Sequence, residues 1–232
     1  MSVPLDLITA KKDFDQEGYA ILTNFLDVAE TRQTRDRLDR FIRESVPSLP
    51  ANEIFYEIEG QPDMIKSITT LSKQDSYFHD LFHCERFLAV AAQMLNEPAS
   101  TSSVHLLNKV PRIGKQIPPH QDAAYLKIPP GKSVTIWLAL DEADENNGAM
   151  VYLRGSHLEG LRKHGDTGSI YFAKAILDYQ EQDSNREVMV TAQPGDLVVH
   201  HAMTVHRTGR NQSDRHRRAL IADFIAHSTR PQ

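Results

Sequence analysis

The sequence is short of several things, and each shortage excludes something. It has one cysteine, Cys84, so no disulfide can form within the chain, and a reducing compartment is expected, read here as the cytoplasm. Residues 1–12 contain neither a long apolar core nor a small-residue cleavage site, which argues against a secretory signal. No apolar run is long enough to cross a bilayer, so no membrane partner is expected. Basic charge is not in excess: 26 Lys and Arg stand against 31 Asp and Glu, a net charge of -5. Such a chain offers no electrostatic footprint for nucleic acid or anionic lipid. There is also no internal repeat, no low-complexity tract and no Gly/Ser/Pro-rich linker.

What remains is an ordinary globular composition, 232 residues with 40% apolar and 25% charged side chains. That length and balance fit one domain, 1–232, with a substantial core. The first part, 1–98, reads as a mostly helical layer. Asp27 can cap a helix over 28–45 in which Leu38, Phe41 and Ile42 make one stripe, and Pro47 and Pro50 end it. A second helix is expected over 85–95.

Beyond Pro98 the texture changes to short β-rich runs, at 103–110, 134–140, 149–153, 187–192, 196–200 and 219–225. Turn clusters separate them, among them Pro129-Pro130-Gly131, Asn146-Asn147-Gly148 and Pro194-Gly195-Asp196. This is the pattern of an antiparallel sandwich or barrel over 99–228. One stretch, 158–186, breaks the rhythm and is not strand-like.

His120-Gln121-Asp122 places an imidazole and a carboxylate two residues apart. In an extended segment both point to the same side and can reach one metal ion. A third ligand, His206, follows the run at 196–200. Two histidines and a carboxylate on one face leave coordination positions open, the arrangement that non-haem iron(II) oxygenases use for co-substrate and O₂. Alone, His-x-Asp is a weak signal that also fits a surface turn after Pro118-Pro119, and a single His206 also fits a structural histidine.

The context is more specific. His120-Gln121-Asp122-Ala123-Ala124-Tyr125 is followed by Thr135-Ile136-Trp137-Leu138-Ala139-Leu140-Asp141, then Asn147-Gly148-Ala149-Met150 and Arg154-Gly155-Ser156-His157. Further on come Pro194-Gly195-Asp196-Leu197-Val198-Val199-His200, His206-Arg207-Thr208-Gly209-Arg210-Asn211 and Arg217-Arg218-Ala219. In order and spacing, from about Phe14 to Phe224, this resembles the phytanoyl-CoA dioxygenase family, a branch of the 2-oxoglutarate oxygenases. The resemblance implies a mainly β fold with N-terminal helices, a double-stranded β-helix (jelly roll, cupin-like). It also implies Fe(II), 2-oxoglutarate and O₂, and hydroxylation of an unactivated C–H bond in a small-molecule substrate, with succinate and CO₂ as co-products. The family's iron ligands fall on His120, Asp122 and His206, and its anchor for the far carboxylate of 2-oxoglutarate on Arg217, with Thr208 as a second donor. A guanidinium suits that task because its planar fork meets a carboxylate in two hydrogen bonds. Arg215 shares the alternation of Arg217 and competes with it; motif register favours Arg217. Aspartate at 122 points to a hydroxylase, because related halogenases carry a small residue there.

Other residues admit two readings. Trp137 can wall the co-substrate pocket or fill the core. Gln116 and Asn108 are candidates for polar contact with co-substrate. His157 fits a structural turn. His200 and His201 alternate sides, so at most one faces inward. Asp141 and Glu142 read as solvated strand ends. The 158–186 segment, with Arg162, Lys163 and Tyr171, is either a solvated insertion or a lid that selects substrate. Two other functions compete: a zinc- or metal-binding jelly roll without oxygenase activity, and a protein-directed oxygen or 2-oxoglutarate sensor. The first gives Arg217 and Thr208 no task.

Overall fold

The computed structural model of the chain describes residues 6–126, 128–129, 131–168 and 173–229. The helices are α1 (Leu7–Glu17), α2 (Val28–Glu44), α3 (Leu71–Gln74), α4 (Ser76–His83), α5 (Glu85–Leu95) and α6 (Glu181–Ser184). The strands are β1 (Tyr19–Leu22), β2 (Ile54–Tyr56), β3 (Ile65–Ile68), β4 (Ala99–Lys109), β5 (Ile117–His120), β6 (Ser133–Ala139) and β7 (Met150–Leu153). They continue as β8 (His164–Asp166), β9 (Lys174–Ile176), β10 (Glu187–Val190), β11 (Leu197–His201), β12 (His206–Thr208) and β13 (Arg217–Ala226).

Helix α2 begins where the sequence places it. The Asp27 carboxylate accepts from the Ala29 and Glu30 amides, and Glu30 returns a bond to the Asp27 amide. A reciprocal cap of this kind contributes about 1 kcal/mol. The apolar side of α2, with Leu38 and Phe41, packs into the core together with Phe78 and Phe82 of α4 and Phe87 of α5.

A seven-stranded sheet runs in the order β1-β11-β6-β13-β4-β3-β2, and a four-stranded sheet in the order β10-β7-β12-β5. Neighbours in both are antiparallel. The two sheets enclose an apolar layer that includes Leu107, Trp137, Ala139, Tyr152, Ala219 and Ile221, which makes the fold a jelly roll. The helices cover the opposite face of the larger sheet, against Leu106, Ile136, Leu138, Leu220 and Phe224. Strand β6 is therefore buried on both faces, which is why its sequence is a continuous run and does not alternate.

Three expectations are revised. The N-terminal part, read as mostly helical, also supplies strands: β1 forms one edge of the large sheet by pairing with β11, and β3 and β2 extend the other edge beyond β4. These strands are only three or four residues long and lie between helical stretches, too short for alternation to stand out. The 158–186 segment is also partly ordered. It holds the antiparallel β8–β9 hairpin and the single turn α6. Asp141 is likewise not a solvated strand end. Arg218 grips it at 2.8 and 3.0 Å and Arg35 lies 3.3 Å away. Among the described residues, no helix is long and apolar enough to cross a membrane.

Candidate metal centre and co-substrate cradle

His120 ends β5 and His206 begins β12, and the two are direct cross-strand partners. Residues paired this way bring their side chains together, and the two imidazole centroids lie 4.2 Å apart. Gln121 is extended, and Asp122 then opens a short helical turn that swings its carboxylate back over the pair. Oδ1 of Asp122 lies 3.7 Å from Nε2 of His120 and 3.6 Å from Nε2 of His206. All three ligand atoms fall within 4.8 Å of one another, close enough to share one metal ion.

The ring orientations are fixed from behind. His120 Nδ1–H donates to the Pro118 carbonyl at 2.9 Å, and His206 Nδ1–H to the Thr204 carbonyl at 3.0 Å. Each Nε2 lone pair is thereby presented to the shared point. Burial pushes both imidazoles below their ordinary value, His206 to about 3, so they stay neutral and able to ligate. Burial acts to raise the Asp122 carboxyl, but His206, His200 and His120 reverse that and hold it far below the carboxylate range.

The second Asp122 oxygen is occupied differently. Oδ2 accepts from Thr135 Oγ1 at 2.7 Å and from His200 Nε2 at 2.9 Å. Because a carboxylate can only accept, His200 carries its proton on Nε2, and its Nδ1 accepts from the Tyr152 hydroxyl at 3.0 Å. Tyr152 in turn stacks on Tyr19, with centroids 4.5 Å apart.

These groups open onto a cavity of about 280 Å³, at the small end for ligand sites. Leu107, Ile117, Trp137, Met150 and Ile221 give it apolar walls, and Thr208 also lines it. Arg217, on the same face of β13 as Ile221, is completely buried (0% exposed), with its guanidinium carbon 5.5 Å from the Trp137 ring centroid. Among the described residues, none of its three nitrogens has a hydrogen-bond partner, and neither does Nε1 of Trp137. Burial pushes Arg217 down to about 10, so it keeps its charge at neutral pH. A buried charged group without a partner is costly, and this one is shaped to receive a carboxylate. Lys109, its cross-strand partner, is buried too and pushed down to about 6, first by burial and then by Arg217 itself. Its Nζ donates to the Lys115 carbonyl at 2.6 Å. Gly148, at φ 83, leaves room for the Lys109 stem, which a Cβ there would meet at 2.7 Å.

Arg215 does not line the cavity; it is exposed and ion-paired with Glu142 and Asp144. Asn108 faces the other side of β4 and donates to the Ile65 carbonyl at 2.7 Å, so it ties β4 to β3 and does not reach the cavity. Gln116 is exposed and outside the cavity lining. Arg162 is spent on Asp178 and Asp183, each at 3.1 Å, and Lys163 is exposed; neither lines the cavity. Tyr171 lies outside the described residues.

Residues 14–219 match the sequence model of the phytanoyl-CoA dioxygenase (PhyH) family. The chain belongs to the phytanoyl-CoA dioxygenase family. Among relatives, it is 26% identical over 227 residues to the peroxisomal phytanoyl-CoA dioxygenase of Bos taurus, covering 92% of this chain and 67% of that one. Among solved structures, EvdO2 from Micromonospora carbonacea var. aurantiaca complexed with 2-oxoglutarate superposes with a TM-score of 0.76 at 27% identity, over 94% of this chain and 90% of that one. The epimerase SnoN in complex with Fe3+, alpha ketoglutarate and nogalamycin RO gives a TM-score of 0.78 at 21% identity, over 97% and 86%, a likeness of fold.

The family's sequence motifs point to the triad, Thr208 and Arg217, but not to the residues that hold the triad in place. Tyr152 and Thr135 show in the sequence only as polar residues in apolar runs, Gln121 only as the residue between two ligands, and His200 only as one of two adjacent histidines of which at most one faces inward. Gln121 is fully buried, donating to the Met203 carbonyl at 2.7 Å and the Gly160 carbonyl at 2.9 Å, and accepting from the Arg162 amide at 2.8 Å.

Proposed function

We propose that the chain is an Fe(II)- and 2-oxoglutarate-dependent hydroxylase of a small molecule. The observation that carries this reading is the unpartnered, fully buried guanidinium of Arg217 beside a cavity that also holds a two-histidine, one-carboxylate triad. The donor set suits iron(II), and the buried guanidinium suits a dicarboxylate. His120, Asp122 and His206 would hold the metal, and Arg217 with Thr208 would hold the far carboxylate of the keto acid. Trp137 walls the same end of the cavity. When bound, iron, 2-oxoglutarate and O₂ supply the oxidising power to functionalise an unactivated C–H bond, releasing succinate and CO₂.

The chain's own part is orientation and exclusion of water. The Nδ1–H bonds of His120 and His206 fix the metal-facing nitrogens. His200 and Thr135 hold Oδ2 of Asp122, which leaves Oδ1 for the metal. The apolar walls keep bulk water from the reacting bond. Aspartate at 122 fills the coordination position a halide would need, which supports hydroxylation. A zinc protein would leave Arg217 buried with no counter-charge.

The test is anaerobic reconstitution with iron(II), followed by succinate release from 2-oxoglutarate and mass analysis of the product. Stoichiometric iron, succinate formation and a product that has gained one oxygen atom are expected. Tight zinc binding without 2-oxoglutarate turnover would overturn the reading, and turnover giving a product of unchanged mass would replace hydroxylation with isomerisation.

A further inference from the structure

Beyond the metal ligands and the cradle lies a second polar group in the cavity. Asp223 of β13 sits between Ser103 of β4 and Thr135 of β6, its direct partners on either side. Immediately after it the β13–β4 register shifts, an irregularity between Asp223 and Phe224. Such bulges re-aim side chains next to active sites. Asp223 lines the cavity with its side chain 21% exposed, in contrast to the closed-in Arg217. Its Oδ2 accepts from Ser103 Oγ at 2.6 Å, and Nε2 of His105 stands 3.8 Å away. Its Oδ1 shares the Thr135 hydroxyl, at 3.1 Å, with Asp122, at 2.7 Å. That hydroxyl has one proton, and the shorter contact is with Asp122, so Oδ1 of Asp223 keeps free acceptor capacity. Among the described residues, no lysine or arginine pairs with it.

Charge balance then decides what this group meets. Apart from the histidines, Asp122 and Asp223 are the only formally charged side chains lining the cavity among the described residues. With iron(II) and 2-oxoglutarate bound, the metal's two charges would be matched by those of the keto acid, and Arg217 would offset Asp122. Asp223 is left over. A half-enclosed carboxylate with no lysine or arginine against it, among the described residues, favours a cation there.

We propose that Asp223, with His105 beside it, is a substrate-recognition subsite that selects a small molecule carrying a single positive charge, an ammonium or amidinium group. This rests on the iron and 2-oxoglutarate reading above. One hydroxyl, that of Thr135, separates Asp223 from the metal ligand Asp122, so the C–H bond that reacts lies close to the cationic group. A CoA thioester, with its several negative charges, is disfavoured at this wall, which separates the chain from the acyl-CoA substrate in the name of its Bos taurus relative.

The experiment uses the iron-loaded protein and a panel of linear and cyclic alkylamines and amidines, with the matched alcohols, carboxylates and an acyl-CoA thioester. Succinate release is followed for wild type and for Asp223→Asn, which keeps the shape; its Oδ1 can accept from Ser103 Oγ and its Nδ2–H can donate to Thr135 Oγ1. In wild type, members of the cationic series should stimulate turnover over their neutral and anionic counterparts. In Asp223→Asn the apparent kcat/KM for those cations should fall at least about tenfold, while the matched alcohols change little. Stimulation by carboxylates or the thioester in preference to cations, an unchanged kcat/KM for cations in the variant, or no stimulation by any cation overturns the subsite. Visible absorption of the anaerobic iron–2-oxoglutarate complex separates the two failures. Its presence in both proteins leaves the hydroxylase reading standing, and its absence in wild type removes that reading and the subsite together.

Discussion

Nε2 of His200 lies 2.9 Å from Oδ2 of Asp122, the carboxylate oxygen turned away from His120 and His206. One oxygen is thereby tied to the protein and the other presented to the metal. Behind it the Tyr152 hydroxyl donates to Nδ1 of His200, so the tautomer is fixed by a second bond. His200→Leu should lower iron(II) affinity by roughly ten- to a hundredfold, as loss of partners behind metal ligands does. Tyr152→Phe should lower it by less. Equilibrium iron binding to the apo protein checks both, and unchanged affinity in His200→Leu would remove His200 from this role.

Asp122→Ala should abolish detectable iron binding, and 2-oxoglutarate turnover with it, while leaving the fold intact. The residue sits at a cavity wall, not inside either apolar layer. Metal analysis alongside circular dichroism tests it. Full iron occupancy in this variant would dismiss Asp122 as a ligand.

Arg217 opposes stability to function. Its charge is fully buried against the Trp137 ring, with no hydrogen-bond partner among the described residues. Arg217→Met should therefore raise apo stability by about 1 kcal/mol or more. It should also raise the apparent KM for 2-oxoglutarate by at least about thirtyfold, because a charge-assisted pair contributes about 2 kcal/mol. Arg215→Ala should change neither by much, since its ion pairs are exposed. A larger KM effect from Arg215 than from Arg217 would reverse the assignment.

Gln121 fastens the 158–186 segment to the core through Gly160, Arg162 and Met203. Gln121→Leu leaves those backbone groups without partners, at a cost of about 2–4 kcal/mol. Limited proteolysis should then cut within 158–186 faster than in wild type. Equal cutting rates in the two proteins would show that the segment is held by other contacts.

Burial keeps His206 at about 3 and His201 at about 4. On unfolding each regains its ordinary value of 6.5 and takes up a proton below it. The unfolded state therefore binds more protons between pH ~4 and ~6.5, so stability is fully present above this window and lost as pH falls through it. Each histidine adds about 1.4 kcal/mol per pH unit there. Urea midpoints of the metal-free protein should be clearly lower at pH ~5 than at pH ~7, and His201→Gln should shrink the difference. A midpoint that does not move would show that these imidazoles do not govern acid stability.

The sequence by itself determined the strand blocks, the cap of α2 and the His-x-Asp pair, because each depends on neighbours along the chain; His206 entered through the order of the motifs. Asp27 caps the residues that follow it, and β6 shows its double burial in the apolar run Ile136-Trp137-Leu138-Ala139. Tertiary structure alone decided the rest. Arg217 differs from Arg215 only in which side of a sheet edge it occupies, and Asn108 differs from Lys109 only by the strand's two-residue period. His200, Thr135 and Asp223 come from three strands far apart in sequence, and they meet at Asp122 and the cavity only because β11, β6 and β13 are neighbours in the large sheet. No periodicity encodes that adjacency. It follows from antiparallel pairing across the fold, which brings cross-strand side chains within bonding distance whatever their separation along the chain.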